Sequence, residues 1–270
     1  MPAIPSAIIC IMHTEVAQIG MVGLAWTTLL VAIALVMTRW QKLGLEQKLL
    51  IGCVRTVIQL ILIGYVLGWI IDGQNMWVVM CAMAFQLGMA TWTAGGLQQP
   101  PLRGARLTAF IALAPAYLLV ISVLLLLVVR PDPWWNPRVV LTLGGMILGN
   151  AMTSVALALN RYRSELSAHR ELVTARVALG APWRIAVGEE RRAAAHAAVL
   201  PTVTGLLTVG LVSLPGMMTG QIIAGADPLQ AVQYQIVVMF MLAAVVGVAT
   251  AIALEVSTRR GKLEAPRSSS

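Results

Sequence analysis

The segment Leu107–Val129 reads LTAFIALAPAYLLVISVLLLLVV, and its 23 residues include no charged side chain. About 20 consecutive apolar residues are enough for a helix to cross the roughly 30 Å of hydrocarbon in a bilayer. The whole chain is similar in character, since hydrophobic residues make up 59% of it and charged residues 11%. Soluble domains carry about 25% charged residues. The sequence therefore predicts an all-α, polytopic integral membrane protein.

Six further apolar runs bring the predicted number of transmembrane helices to about seven. In chain order, and including the run already quoted, they are approximately Val16–Met37, Leu49–Ile71, Met76–Trp92, Leu107–Val129, Val139–Leu159, Val199–Ala224 and Leu229–Val256. The sixth run contains Pro215 and several glycines, so we expect its helix to kink or break there. No connection is long enough to be a second domain. We therefore predict one transmembrane domain over residues 1–262 and a disordered tail over residues 263–270.

The basic residues predict how these spans are oriented. The chain carries a net charge of +8, and when alternate loops are sorted into two sides, 16 of its 19 Lys and Arg residues fall on one side. Arg130 and Arg138 fall on the other side, and Arg55 lies within a span. Because cytoplasmic loops carry the excess of basic residues, we predict an external N-terminus and a cytoplasmic C-terminus. A nucleic-acid partner is not expected, because no polar domain exists to carry a basic face.

The longest connection, residues 160–198, is polar and falls on the predicted cytoplasmic side. Residues Tyr162–Leu179 contain neither Pro nor Gly and predict a helix. Gly180 suits a left-handed cap, Pro182 prevents continuation, and Arg184–Ala198 predicts a second helix. Such a hairpin can simply be solvated, with arginines that serve topology and anionic lipid. It can also be a coupling helix that docks on a cytoplasmic ATPase, and the pattern alone leaves both interpretations open.

The chain has no phosphate-binding loop of its own. No GxxxxGK[ST] motif is present, and none of Lys42, Lys48 and Lys262 follows a Gly-rich turn. No nucleophile–base pair is evident, and the three histidines are scattered along the chain. We therefore predict that the chain is not an enzyme and binds no cofactor itself.

Polar side chains within the predicted spans are candidates for a substrate path, since they are costly in lipid. Arg55 and Gln59 lie four residues apart, on one face of the second span. Asn150 and Ser154 have the same spacing in the fifth. Snorkelling explains Arg55 equally well, and hydrogen bonds between helices explain the fifth-span pair. Asp227, in an external turn, can accept a departing cation or simply serve the turn.

The segment Ser213–Gly220 is the candidate translocation element of the sixth span. Ser213 and Pro215 lie where non-helical backbone is expected, and such backbone is tolerated at membrane depth only where protein or a water-filled cavity covers it. Met217 and Met218 follow, but thioethers favour soft ions, whereas iron and aluminium prefer oxygen or nitrogen ligands. Helix packing is the better interpretation of these methionines, and we assign no metal site.

Four stretches, in order along the chain, carry a resemblance to a known family. They are RTVIQL at Arg55–Leu60, MILGNAM at Met146–Met152, TVGLVSLPGMMTG at Thr208–Gly220 and AGADP at Ala224–Pro228. Together they resemble the Fet-type ABC permeases, the bacterial iron-export permeases related to plant aluminium-tolerance permeases. The resemblance extends over most of the chain, from about residue 45 to residue 254.

This resemblance implies a homodimer of permease subunits with two copies of a separate ATPase subunit, which binds ATP and Mg²⁺. It implies export of iron, or of a related metal species, across a bacterial inner membrane. It also favours the coupling interpretation of the 160–198 loop, with Glu171, Arg176, Leu179, Gly180, Ala181 and Pro182 as candidate ATPase contacts. The importer motif Glu-Ala-Ala-x-x-x-Gly is not present, because Thr174-Ala175-Arg176 stands where it would begin. Importer contacts therefore cannot be transferred.

Two alternatives stay open. One keeps the ABC permease but changes the cargo to a nucleotide sugar or another metabolite, since nothing in the sequence identifies the cargo. The other is an ATP-independent secondary transporter, which would need intramembrane carboxylates for ion coupling. Glu255, near the end of the last span, is the one candidate.

Overall fold

A computed structural model describes residues 21–41, 44, 46–97 and 104–264, and this part of the chain is built from α-helices and has no β-strand, as predicted. The helices are α1 (Met21–Trp40), α2 (Glu46–Gly73), α3 (Met76–Gly96), α4 (Ala105–Val123), α5 (Pro137–Ala168), α6 (Arg170–Ala178), α7 (Trp183–Ala186), α8 (Gly188–Thr208), α9 (Gly216–Ile223) and α10 (Pro228–Glu264). Helix α4 runs on into a π-helical segment, Leu124–Val129. The predicted tail overlaps the end of α10, and residues 265–270 lie outside the described part.

The predicted number of about seven spans is not confirmed. Five helices of the described part are long and apolar enough to cross a bilayer, over Leu49–Gly73, Met76–Gly96, Ala105–Val129, Pro137–Ala168 and Pro228–Arg260. The first predicted span starts at Val16, outside the described residues, and its described apolar stretch, Trp26–Trp40, is shorter than these five. The sixth is split between α8 and α9. Hydropathy alone overestimates the length of continuous helix in such a segment, because it does not report where the backbone leaves the helix.

The described residues form two compact units. The first contains the residues up to Gly73 together with Thr219–Pro228, and the second contains Gln74–Met218 and the residues from Leu229 onward. In the first unit, α2 exposes apolar side chains along most of its length, among them Leu60 and Trp69. A helix that is apolar all round must be surrounded by lipid or by protein.

Small residues bring the helices of the second unit close together. Ala116 of α4 and Ala151 of α5 are buried, and residues of this size let helix backbones approach closely in membranes. The tightest contact is at Gly144 of α5. A Cβ atom at this position would lie 2.7 Å from the Tyr117 hydroxyl oxygen and 3.3 Å from Gln86 Oε1. Helices α3, α4 and α5 therefore meet here with no room for a side chain.

We expect Gly144→Ala to destabilise the protein by about 1–3 kcal/mol, because the new methyl group overlaps the hydroxyl of the buried Tyr117 side chain. Gly149→Ala is the matched control on the same helix, since an added Cβ meets nothing within 4 Å there. The control should be neutral or slightly stabilising. Thermal unfolding in detergent measures both, and Tyr117→Phe should restore part of the loss. Equal melting temperatures for the two glycine variants would contradict this packing.

The predicted break in the sixth span is present. Helix α8 ends at Thr208. Gly210 follows with φ +80°, and its N–H donates to the Ser213 carbonyl over 2.9 Å. The positive φ favours glycine at this position. Leu211 and Val212 at the tip of the turn are exposed. This apolar turn therefore separates α8 from α9, which begins at Gly216.

Candidate functional site

Residues 160–198 form the end of α5, the short helices α6 and α7 and the start of α8, instead of two separate helices. Helix α5 extends to Ala168 and ends at His169, so the prediction of one helix over Tyr162–Leu179 is wrong at that residue. The physical reason is packing. Tyr162 and Val173 belong to one buried cluster, whereas a continuous helix would hold them about 16 Å apart along its axis. The predicted second helix is likewise divided, into α7 and α8.

The turn after α6 has the predicted cap. Gly180 has φ +91°. The Ala181 N–H donates to the Arg176 carbonyl over 3.1 Å, and the Gly180 N–H donates to the Val177 carbonyl over 3.0 Å. This pair of bonds is the Schellman motif, which satisfies the last carbonyls of a helix and needs a left-handed residue, usually Gly. Pro182 then begins the next segment, so the end of α6 is fixed by sequence.

The loop is packed against its neighbouring helices and is not a freely solvated hairpin. Its buried cluster joins Tyr162 of α5, Val173 of α6, Val187 before α8 and Leu254 of α10. The Trp183 indole N–H donates to the Thr258 carbonyl of α10 over 2.9 Å. A displacement of α6 and α7 must therefore disturb the ends of three long helices.

Arg176 connects α6 to the start of α8. Its Nη1 donates to the Ala186 carbonyl over 2.9 Å and lies 3.5 Å from Glu190 Oε1, while its Nη2 pairs with Glu189. Only 1% of the Glu190 side chain is exposed, and His169 Nδ1 lies 3.6 Å from the same oxygen. A buried carboxylate needs such partners. We call the contacts of Arg176 with Ala186, Glu189 and Glu190 the Arg176 brace.

The tip of the loop exposes apolar surface. Leu179, directly before Gly180 in this turn, is 89% exposed. Of the residues predicted to contact an ATPase, four are exposed and two are only partly exposed. The exposed residues are Glu171, Leu179, Gly180 and Pro182, and the partly exposed ones are Arg176 and Ala181. The Arg176 guanidinium is thus held by the start of α8, while 26% of its side chain is exposed.

Ser154 connects three helices, whereas Asn150 does not. The Ser154 hydroxyl donates to the Ala198 carbonyl of α8 over 3.1 Å and lies 2.7 Å from the Thr250 hydroxyl of α10. Asn150 is exposed and donates to the Met146 carbonyl of its own helix over 3.0 Å. Hydrogen bonding therefore accounts for both residues, but only Ser154 bonds between helices.

We expect Thr250→Val to cost about 1 kcal/mol, because it removes one of the two interhelical bonds of Ser154 without changing the side-chain shape. Thr153→Val makes the same chemical change at an exposed hydroxyl that bonds only within its own helix, over 2.9 Å. Detergent-induced unfolding of both variants tests the difference. If Thr153→Val is as destabilising as Thr250→Val, the hydrogen bond between helices contributes no more to stability than the bond within one helix.

The remaining candidates for a substrate path are divided between the two units. In the first, Arg55 and Gln59 are exposed on α2, and Asp227 is exposed in the turn before α10. In the second, Ser213 is exposed in the turn that follows α8. Also in the second unit, Pro215, Met217 and Met218 are partly exposed. The structure therefore leaves these residues as candidates.

Sequence reasoning missed two polar side chains inside the second unit. Gln86 Nε2 donates to the Leu141 carbonyl over 3.2 Å, while Gln86 Oε1 and the Tyr117 hydroxyl have no hydrogen-bond partner among the described residues. Both atoms face Gly144. Each is a single polar residue in an apolar run, and the only available signal was that such residues are costly in lipid. No group of three or more potential metal ligands occurs in the described part.

The long apolar helices show first that this is a multi-pass membrane protein, with a packed polar loop. Its sequence contains no GxxxxGK[ST] nucleotide-binding motif. The chain belongs to the family described as "Uncharacterised protein family (UPF0014)", whose model matches residues 21–261. It is 35% identical to the probable iron export permease protein FetB of Escherichia coli K12, covering 88% of this chain and 90% of FetB. It is 36% identical to the membrane protein STAR2 of Oryza sativa, covering 83% and 77%, and 35% identical to ALUMINUM SENSITIVE 3 of Arabidopsis thaliana, covering 86% and 82%. These matches confirm the resemblance read from the sequence. No solved structure matches the chain.

Proposed function

We propose that this protein is the membrane-spanning permease subunit of an ABC transporter that exports iron or a related metal species. The observation that carries the proposal is the packed loop, because it presents an exposed apolar tip at Leu179 and is tied into α5, α8 and α10 behind it. The printed name of FetB, an iron export permease, supports the choice of cargo. ATP and Mg²⁺ would be bound by a separate ATPase subunit, since this chain has no phosphate-binding loop.

The loop geometry suggests how ATP hydrolysis would move the permease. An ATPase groove would hold the tip around Leu179, and closure of the ATPase pair would displace α6. The Arg176 brace would carry that displacement to Glu189 and Glu190, which are in the first turn of α8. Helix α8 leads directly to the turn at residues 209–215, so the proposed translocation element moves with it.

The topology proposed here has seven crossings, with α1 and the interrupted pair α8–α9 added to the five continuous spans. The excess of basic residues on the α6–α7 side supports a cytoplasmic loop, a cytoplasmic C-terminus and an external N-terminus in a bacterial inner membrane. We propose a homodimer, in line with two ATPase subunits. The exposed apolar length of α2 gives each copy surface for a partner or for lipid.

Iron is the substrate in this proposal, so its contacts along the path are expected to be weak. Oxygen and nitrogen donors suit iron better than thioethers. The candidate donors are Gln59, Asn150, Ser213 and Asp227, while Arg55 would repel a bare cation and suit an anionic chelate. A chelated cargo therefore fits these residues as well as a bare ion does.

The test is ATP-dependent accumulation of radioactive iron by inverted membrane vesicles that contain this chain and its candidate ATPase. The proposal expects accumulation that requires both chains and disappears with a hydrolysis-deficient ATPase. Iron accumulation without the ATPase would identify a secondary transporter. ATPase activity that depends on this chain, without iron accumulation, would retain the permease and point to another cargo, such as a nucleotide sugar.

A further inference from the structure

Four charged side chains from three helices meet near the end of the apolar part of α10. Glu255 Oε2 accepts hydrogen bonds from Arg184 Nη2 of α7 over 2.9 Å and from Arg191 Nη1 of α8 over 3.2 Å. Glu255 Oε1 accepts from Arg259 Nε over 2.9 Å. One carboxylate neutralises only one of three guanidinium groups, so the cluster keeps two positive charges in excess.

The geometry places the excess charge in one small region. Arg184 and Arg191 both lie within 3.2 Å of a single carboxylate oxygen, so these two guanidinium groups are close neighbours. Like charges at such a distance repel each other. Each guanidinium has five N–H donors, and only a fraction of them is used here. The Arg184 side chain is 64% exposed, so its free donors can reach a further anion.

Apolar and interfacial side chains lie beside this charge. Ile185 follows Arg184 in α7 and is largely exposed, while Trp183 precedes it and is anchored to the Thr258 carbonyl of α10. Trp is typical of the membrane–water interface, where an apolar ring meets polar groups. A ligand that fits both features has an anionic head and an apolar body.

We propose that Arg184, Arg191 and Arg259, held in place by Glu255, bind the phosphate group of an anionic phospholipid at this end of α10. Glu255 orients the guanidinium groups and leaves the surplus charge for the lipid. Arginine suits this role because its planar fork matches phosphate oxygens. The proposal does not depend on the identity of the transported cargo. It assigns to α7 and the start of α8 a lipid contact that is separate from the Leu179 tip.

The test compares two double variants that remove the same charge. Arg184→Gln/Arg191→Gln removes the cluster donors, and Arg170→Gln/Arg192→Gln removes two exposed arginines of the same loop. The full-length protein is placed in nanodiscs of phosphatidylcholine with a minor fraction of phosphatidylglycerol, and retained lipid is counted by native mass spectrometry. We expect the cluster variant to lose phosphatidylglycerol retention about tenfold and the control to change less than twofold.

Three outcomes would overturn the proposal. Equal losses in both double variants would show a general basic surface. Inorganic phosphate that stabilises the protein in pure phosphatidylcholine as strongly as phosphatidylglycerol does would identify a soluble anion as the ligand. Unchanged lipid retention in the cluster variant, with weakened ATPase binding, would assign the arginines to a protein contact. Arg184→Lys/Arg191→Lys keeps the charge and checks folding, and it should retain phosphatidylglycerol more strongly than the Gln variant does.

Discussion

Replacing Leu179 by Glu is expected to weaken binding of the proposed ATPase subunit by at least about 30-fold, which corresponds to about 2 kcal/mol. Leu179 is 89% exposed at the tip of the loop, so a groove on the partner would bury it almost completely. A carboxylate in its place would lose its hydration in an apolar groove, and this cost adds to the lost apolar contact. Transport that depends on the ATPase should fall in parallel.

The control for this prediction is Leu179→Met, which keeps an apolar side chain of similar volume and should bind the ATPase nearly as well as the wild type does. Because Leu179 contributes little to the buried core, the free energy of unfolding should change by less than about 0.5 kcal/mol in either variant. Affinity is measured by titrating the purified ATPase into nanodiscs that contain the permease. An unchanged affinity for Leu179→Glu would remove the tip from the docking surface.

Arg176→Met is expected to lower the free energy of unfolding by about 3 kcal/mol. The substitution removes the hydrogen bond to the Ala186 carbonyl and leaves His169, 3.6 Å away, as the remaining ion-pair partner of the buried Glu190 among the described residues. Removing one partner of a buried ion pair costs about 3–5 kcal/mol, and the remaining histidine justifies the lower end. Denaturant or thermal unfolding in detergent measures this change.

Two further variants separate the brace from a general effect of charge. Arg170→Met removes an exposed arginine from the first turn of the same helix and should have little effect. Adding Glu190→Gln to Arg176→Met should recover part of the lost stability, because the uncompensated charge is then gone. If Arg170→Met and Arg176→Met unfold at the same temperature, the brace is not a stabilising element. In that case, the route proposed for motion from α6 to α8 would lose its support.

Some features of the loop could be predicted from a few residues because they depend on local backbone chemistry. Gly180 and Pro182 predicted the end of α6, and the cap is present with φ +91° at Gly180. Pro215 and its neighbouring glycines predicted the interruption between α8 and α9. The motifs from Arg55 onward predicted the family, which the comparisons confirm. Each of these signals is carried by residues close together in the chain.

Other features depended on how the helices pack, and sequence spacing was misleading there. Asn150 and Ser154 have the spacing of one helix face, yet Asn150 is exposed while Ser154 contacts α8 and α10. Arg176 was predicted only as an ATPase contact, and the sequence did not indicate that its guanidinium also binds the start of α8. Glu255 was noted only as a carboxylate near the end of a span, whereas in the structure it forms ion pairs with three arginines.

The sequence by itself determined the membrane class, the helical composition, the excess of basic residues on one side and the family of this protein. Hydropathy, charge and motifs are sums or patterns along the chain, so they need no knowledge of which helices are neighbours. Only the tertiary structure decided the helix break at His169, the Arg176 brace, the crowding at Gly144 and the arginine cluster at Glu255. These features depend on how each helix is rotated and on contacts between residues distant in sequence. Side-chain volumes and the pairing of buried charges together determine that packing.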